Sequence, residues 1–123
     1  MESSPNLQIT LGLKFWLKSD DKSIVGPGDI TLIQALHQSK NLTKAAEACG
    51  YSYKYAWKKL QDLKKKTGQD VVIAQKGGKG GGGHVEVTAW GEYLIQIYQK
   101  VQTRAVNFIV QMNQEIENMN KKG

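Results

Sequence analysis

The fold is decided by the stretch LTKAAEACGYS at residues 42–52. Small alanines at its centre allow two helices to cross closely, and Gly50 can adopt the left-handed conformation that ends a helix. Thr43 is predicted as the N-cap of the helix before this glycine, and Ser52 as the N-cap of the helix after it. The stretch therefore predicts two helices joined by a tight turn, which is a helix-turn-helix.

The second helix is predicted to run from Ser52 to about Thr67, with Gly68 as its C-terminal stop and its apolar positions facing the core. In a helix-turn-helix the outer side of this helix enters the major groove, where lysine can donate to guanine or phosphate and aromatic rings can contact thymine methyls or sugars. A second interpretation stays open, in which Trp57 and Tyr55 belong to the core and Lys54 is simply solvated. The predicted recognition residues are Ser52, Tyr53, Lys54, Trp57 and Lys58.

The positive charge of the chain is concentrated in one third of its length. The chain carries 17 basic and 11 acidic side chains, a formal net charge of +6. Residues 51–85 hold eight lysines and two aspartates, so this segment alone accounts for the whole excess. Such a segment predicts contact with a polyanion, and the alternative is a solvated lysine-rich surface.

A glycine-rich tract, GGKGGGG at residues 77–83, lies between two predicted strands at 71–76 and 84–88. A nucleotide-binding loop would need a serine or threonine after its lysine and a helix after that, whereas Lys79 is followed by glycine and a strand. The tract therefore predicts a hairpin wing, in which glycines permit close approach to a sugar-phosphate backbone. The predicted phosphate contacts are Thr43, Lys76 and Lys79.

The flanking segments complete the predicted fold. Apolar residues alternate over residues 7–17, which predicts a half-buried strand, and residues 24–25 are expected to pair back on it. Pro27 is expected in the first turn of a helix that ends near Ser39. Thr88 is predicted to cap a helix of residues 89–118, about 45 Å long at about 1.5 Å per residue. Its apolar stripe is longer than a small domain can cover, which suits either a second copy or a foreign helix.

This order of elements, with Ser52-Tyr53-Lys54, Ala56-Trp57 and the glycine-lysine tract, resembles the N-terminal domain of the molybdate-responsive ModE regulators, and more distantly the LysR-type regulators. The resemblance extends from about Leu7 to beyond Tyr98. It implies an α+β winged helix-turn-helix with an N-terminal strand, a two-stranded wing and a long C-terminal helix. It also implies a homodimer that reads a palindromic operator in double-stranded DNA. The residues expected in the dimer contact are Leu94, Ile97, Val101, Ala105, Phe108 and Met112.

In this interpretation residues 1–88 bind DNA and residues 89–123 pair the two copies. The molybdate-binding module of the family would follow this helix, so we do not expect the chain alone to sense molybdate; a separate sensor protein is possible. A protein-interaction module and a nonspecific architectural DNA-binding protein are the alternative functions.

Composition excludes several other classes of protein. Cys49 is the single cysteine, so an internal disulfide is impossible and a reducing cytoplasm is expected. No signal peptide or membrane span is indicated. His37 and His84 lie on different predicted elements without metal-ligand spacing, and no catalytic constellation is recognisable. We therefore expect no metal, no cofactor and no enzyme activity.

Overall fold

The computed structural model describes residues 7–74 and 84–122 of the chain. Within these residues, four helices and two small antiparallel sheets follow one another in the predicted α+β order, which confirms the winged helix-turn-helix fold. The elements are β1 (Leu17–Ser19), β2 (Lys22–Val25), α1 (Pro27–Ser39), α2 (Leu42–Cys49), α3 (Tyr53–Thr67), β3 (Val72–Ala74), β4 (Val85–Val87) and α4 (Ala89–Lys122). The chain divides into two units, one of which is Phe15–Gln99.

Strands β1 and β2 form a hairpin at the start of this unit. Val25 lies opposite Leu17, so the predicted return pairing is confirmed. The turn between the strands, Asp20–Asp21, has φ values of 49° and 64°. These values lie in the left-handed region, which aspartate tolerates better than most side chains.

The predicted strand over residues 7–17 is wrong in its extent, because the structure forms a strand only at Leu17–Ser19. Residues 7–16 make no strand pairing in the described structure. Their alternating pattern still leaves Leu11 and Phe15 partly buried, whereas Leu7 and Ile9 are exposed. The alternation therefore marks a face of an extended segment that has no neighbouring strand to complete a ladder.

The helix boundaries follow from local capping. The backbone N–H of Gly26 donates to Asp29 Oδ2 over 2.9 Å, with Pro27 in the first turn of α1. Helix α2 has Asn41 as its N-cap, because Asn41 Oδ1 accepts from the backbone N–H of Lys44 over 2.9 Å. The prediction of Thr43 as this cap is wrong, since Thr43 already lies in the first turn of the helix.

The remaining predicted caps are confirmed. Gly50 and Gly68 end α2 and α3 with φ of 74° and 78°. Ser52 caps α3, its Oγ accepting from the backbone N–H of Tyr55 over 3.1 Å. Thr88 caps α4, since the backbone N–H of Gly91 donates to its Oγ1 over 3.1 Å. Helix α4 extends to Lys122, which is longer than the predicted end near Asn118.

The base of the wing is the antiparallel pair β3 and β4. Val72 lies opposite Val87, and Ala74 lies opposite Val85. The backbone N–H of Val85 also donates to the carbonyl of Lys40 over 3.0 Å, which ties β4 to the corner between α1 and α2. The glycine tract with Lys76 and Lys79 lies outside the described residues.

The core of the Phe15–Gln99 unit joins helices α1, α2 and α3 to the wing base and to the start of α4. Helix α2 contributes small alanines to it, so α1 and α3 can both pack closely on α2. The buried residues are Val25, Ile30, Leu32, Ile33, Leu36, Leu42, Ala45, Ala46, Ala56, Leu60, Leu63, Val71, Val85, Leu94, Ile95 and Tyr98.

The second unit comprises the segment up to Lys14 and the part of α4 from Lys100 onward. The backbone N–H of Leu11 donates to Asn113 Oδ1 over 2.7 Å, so an α4 side chain holds the extended segment. Several apolar side chains of this unit are 46% exposed or more, which leaves an unburied apolar surface. They are Leu7, Ile9, Leu13, Val106, Phe108, Val110 and Met119.

Candidate nucleic-acid interface

The outer side of α3 presents the predicted recognition residues to solvent. Ala56, Leu60 and Leu63 are buried with 2% or less of their surface exposed, and they fix one side of the helix on the core. The other side is therefore directed outward. The predicted recognition residues are all exposed and lie on the first two turns or at the cap; they are Ser52, Tyr53, Lys54, Trp57 and Lys58.

The aromatic side chains of α3 are not core residues. Tyr53, Tyr55 and Trp57 are 51%, 48% and 45% exposed. The core interpretation of Trp57 and Tyr55 is therefore wrong for this chain. Tyr55 is an exposed residue that the sequence analysis did not assign to the interface, and its ring packs edge-on against Tyr51 with 4.9 Å between the centroids.

The lysines of α3 differ in their surroundings. Lys54, Lys65 and Lys66 are exposed. Lys58 Nζ lies 3.8 Å from Asp62 Oδ2, and the two side chains are 73% and 47% exposed. Exposed pairs of this kind contribute little and exchange partners readily, so Lys58 can still reach a phosphate. Lys59 differs from these lysines, because its side chain is only 21% exposed and its Nζ lies 3.3 Å from Asp29 Oδ1.

A groove separates α3 from the first strand of the wing. Trp57 and Lys64 lie on its helix side and Ile73 lies on its strand side, around a volume of about 360 Å³. Trp57 and Ile73 are 45% and 48% exposed, so an apolar side chain on each side of the groove is open to solvent, and the charged Lys64 and Asp70 lie beside them.

The other predicted phosphate contacts lie on separate elements. Thr43 is exposed in the first turn of α2, which carries no acidic residue there. The positive end of the helix dipole favours an anion at such a position. Lys76 and Lys79 lie outside the described residues, and the structure gives no position for them.

The predicted dimer residues of α4 fall into three groups by their burial. Leu94 is only 2% exposed and belongs to the core of its own chain, so it is not available to a partner. Ile97, Ala105 and Met112 are partly buried. Val101 and Phe108 are 39% and 50% exposed, so their apolar side chains are accessible to another surface.

Other chemistry is sparse in the described part of the chain. His37 Nε2 lies 3.6 Å from Glu92 Oε1 in a shallow polar cleft, and His84 lies at the wing base. Residues 7–74 and 84–122 contain no cluster of three His, Cys, Asp or Glu that could hold a metal. Burial raises the pKa of the Cys49 thiol, which disfavours the reactive thiolate. Among the described helices, none combines the length and apolar character needed to cross a membrane.

Comparison with curated proteins confirms the resemblance to ModE regulators. The chain is 33% identical over 87 residues to the transcriptional regulator ModE of Yersinia pestis, which covers 71% of this chain and 33% of that protein. It is 35% identical over 82 residues to the DNA-binding transcriptional dual regulator ModE of Escherichia coli K12, which covers 67% of this chain and 31% of that protein. The chain thus spans about a third of the length of these relatives. No family model matches it.

Solved structures share the fold at low sequence identity. The BenM_DBD/benA site 1 DNA complex matches with a TM-score of 0.52 and 20% identity, over 72% of this chain and 92% of that chain. Vibrio fischeri DarR in complex with DNA matches with a TM-score of 0.52 and 18% identity, over 80% of this chain and 30% of that chain. ArgP from Mycobacterium tuberculosis matches with a TM-score of 0.54 and 14% identity, over 69% of this chain and 30% of that chain.

Proposed function

We propose that this chain is a sequence-specific double-stranded DNA-binding protein that regulates transcription as a cytoplasmic homodimer, without enzyme activity or cofactor. The observation that carries the proposal is the outward side of α3, where Tyr53, Lys54, Trp57 and Lys58 are exposed on a helix whose inner side is fixed in the core. The similarity to ModE regulators and the fold shared with DNA-bound BenM and DarR support it.

The division of roles within the interface follows from chemistry. Tyr53 and Lys54 lie on the first turn of α3, the part of a recognition helix that reaches base edges in this class of motif. Lys58 lies one turn later, and Thr43 lies at the start of α2, where phosphate contacts are expected. The wing lysines Lys76 and Lys79 are proposed as further phosphate contacts. Base contacts would specify the sequence, and phosphate contacts would supply most of the affinity.

The proposal is tested by selecting duplexes from a random library with the full chain and measuring affinity for the selected sequence at several salt concentrations. The selected duplexes should share an inverted repeat. The variant Y53A/K54A should alter the selected motif, because a base contact is worth about 1–3 kcal/mol of discrimination. Selection of no common motif would contradict sequence-specific binding and leave an architectural role.

Phosphate contacts have a separate signature. Each lost contact should reduce the slope of log affinity against log salt by about 0.9 without changing the motif. We expect this for K58A and K79A. K121A is the matched control, because Lys121 is an exposed lysine of α4 far along the sequence from α3, and it should leave the slope unchanged.

We also propose that residues 1–88 bind DNA and that residues 89–123 pair two copies of the chain through α4. The half-exposed Phe108 and the exposed Val101 support a helix-to-helix contact. Sedimentation of the native chain should show a dimer, and F108K should shift it toward monomer, because a buried unpaired charge opposes association. N107K, at an exposed polar neighbour, is the control. A native monomer would favour a foreign partner for this helix.

A further inference from the structure

One ion pair links the recognition helix to the first helix of the fold. Lys59 Nζ lies 3.3 Å from Asp29 Oδ1, and the two side chains are 21% and 16% exposed. Every other ion pair of the described residues has both side chains at least 39% exposed. The Lys59–Asp29 pair is therefore the most shielded charge contact that the structure shows.

Both partners of this pair are held by further contacts. Asp29 Oδ2 accepts from the backbone N–H of Gly26 over 2.9 Å, so the carboxylate also caps α1. Lys59 Nζ lies 5.9 Å and 5.4 Å from the ring centroids of Tyr51 and Tyr55, which is cation–π distance. The ammonium is thus enclosed by one carboxylate and two aromatic rings that belong to the turn and the first turn of α3.

The backbone of α1 approaches this cluster closely. A Cβ at Gly28 would lie 3.0 Å from Tyr51 Oη and 3.4 Å from Lys59 Nζ. The absence of a side chain at this position therefore lets the start of α1 contact the tyrosine and the ammonium directly. Within α3, this close approach to Gly28 involves Lys59, which lies on the side of the helix that faces α1.

The charge of Lys59 is directed inward. Burial lowers its pKa, but the neighbouring Asp29 carboxylate and its hydrogen bond raise it, with smaller contributions from Tyr55 and Tyr51, and the net pKa lies above the ordinary value. Lys59 is therefore protonated at physiological pH and its charge is matched by Asp29. It differs in this from the adjacent Lys58, which is exposed.

We propose that Lys59 is a positioning residue, which sets the rotation of α3 about its own axis through Asp29 and does not bind phosphate. Apolar packing of Ala56, Leu60 and Leu63 holds α3 down but is non-directional, whereas the hydrogen bond from Lys59 to a carboxylate held at the α1 cap favours one rotation of α3 relative to α1. That rotation decides where Tyr53 and Lys54 point. The inference rests on the proposed function and deepens it, because it predicts a loss of sequence discrimination without a loss of charge contact.

The test compares affinity for the duplex selected by the native chain with affinity for a scrambled duplex of the same length, at several salt concentrations. K59M keeps the aliphatic stem and removes the ammonium, and D29N keeps an oxygen for the cap. Each should lower the ratio of specific to nonspecific affinity by about tenfold, which corresponds to about 1.4 kcal/mol. The double variant should lose no more than either single variant, because both remove the same contact. K59R should retain the ratio, since arginine can pair with Asp29.

The salt slope separates positioning from phosphate binding. K59M should keep the native slope, whereas K58M, the matched neighbour, should lower it by about 0.9. A drop in the slope of K59M would show that Lys59 contacts phosphate and would overturn the proposal. An unchanged ratio with only a lower melting temperature would also overturn it, because that is the behaviour of a merely stabilising pair. If the native chain itself shows no sequence preference, the proposed function fails and the positioning role fails with it.

Discussion

Replacing Gly91 with alanine tests how closely α4 packs on the base of the wing. A Cβ at this position would lie 2.6 Å from the carbonyl oxygen of Val71 and 2.7 Å from Val87 Cγ1. The same carbonyl accepts a hydrogen bond from the backbone N–H of Thr88 over 3.0 Å, so it cannot move without disturbing the N-cap of α4. Alanine at residue 91 must therefore push the wing base and α4 apart.

The magnitude is the difference of two opposing effects. Inserting a methyl group into a well-packed site costs about 1–3 kcal/mol, and the contact with a backbone oxygen places this site at the upper end. Replacing glycine by alanine in a helix contributes about 1 kcal/mol in the opposite direction. We expect G91A to lower the free energy of unfolding by about 2 kcal/mol, and the melting temperature by roughly 8 °C at about 4 °C per kcal/mol.

Urea denaturation followed by circular dichroism measures this change in the free energy of unfolding. The slope of that free energy against urea concentration should be the same for G91A and the native chain, which checks that their folded and unfolded states are comparable. G12A is the matched control, because a Cβ at Gly12 meets nothing within 4 Å. It should change the free energy of unfolding by less than about 0.5 kcal/mol. If G91A is as stable as the native chain, α4 does not approach Val71 and Val87 as closely as the structure places it, and the reasoning from the contact distances is refuted.

Two further predictions concern capping and pH. N41A should lower the free energy of unfolding by about 1 kcal/mol, because Asn41 caps α2. T43A should change it by less than about 0.5 kcal/mol. Urea denaturation measures both values, and a larger loss for T43A than for N41A would make Thr43 the cap. The raised pKa of Lys59 means that its ion pair stabilises the fold fully below the unfolded-state pKa of 10.5, and this contribution is lost as pH rises through the higher folded-state pKa. The stability difference between the native chain and K59M should therefore stay constant from about pH 6 to 9 and shrink above about pH 10.5; a change within the lower range would contradict the assignment.

The helices of the DNA-binding fold could be predicted because the signals that define them are local. Gly50 and Gly68 end helices in the left-handed conformation, and Ser52 caps α3, all within four residues of the atoms they satisfy. The cap of α2 was assigned to the wrong residue because Asn41 and Thr43 both have a suitable side chain. The choice between them depends on where α1 ends. Lys40 ends that helix in the left-handed conformation, with φ of 54°. The sequence does not indicate that a lysine would adopt this conformation.

The extent of β1 could not be predicted, because alternation shows which face is apolar but not whether another backbone lies alongside. Over residues 7–16 one backbone N–H, that of Leu11, is satisfied by the side chain of Asn113, which is 102 residues away. The apolar stripe of α4 raises the same difficulty. Leu94 and Phe108 fit one continuous pattern in the sequence, yet Leu94 is buried in the core and Phe108 is half exposed. Periodicity alone does not show where the core ends and a partner surface begins.

The structure distinguishes between lysines that the sequence prediction treats as equivalent. Counting lysines treats Lys58 and Lys59 as equivalent, because they are adjacent and have the same side chain. The structure separates them by the position of an aspartate 30 residues earlier, which encloses Lys59 and leaves Lys58 in solvent. Only exposed lysines such as Lys58 would release counterions on binding DNA. The slope of log affinity against log salt should therefore be smaller than the lysine count of residues 51–85 suggests. In the proposed positioning role, Lys59 would add nothing to this slope and would still affect which sequence is bound, because it would orient Tyr53 and Lys54.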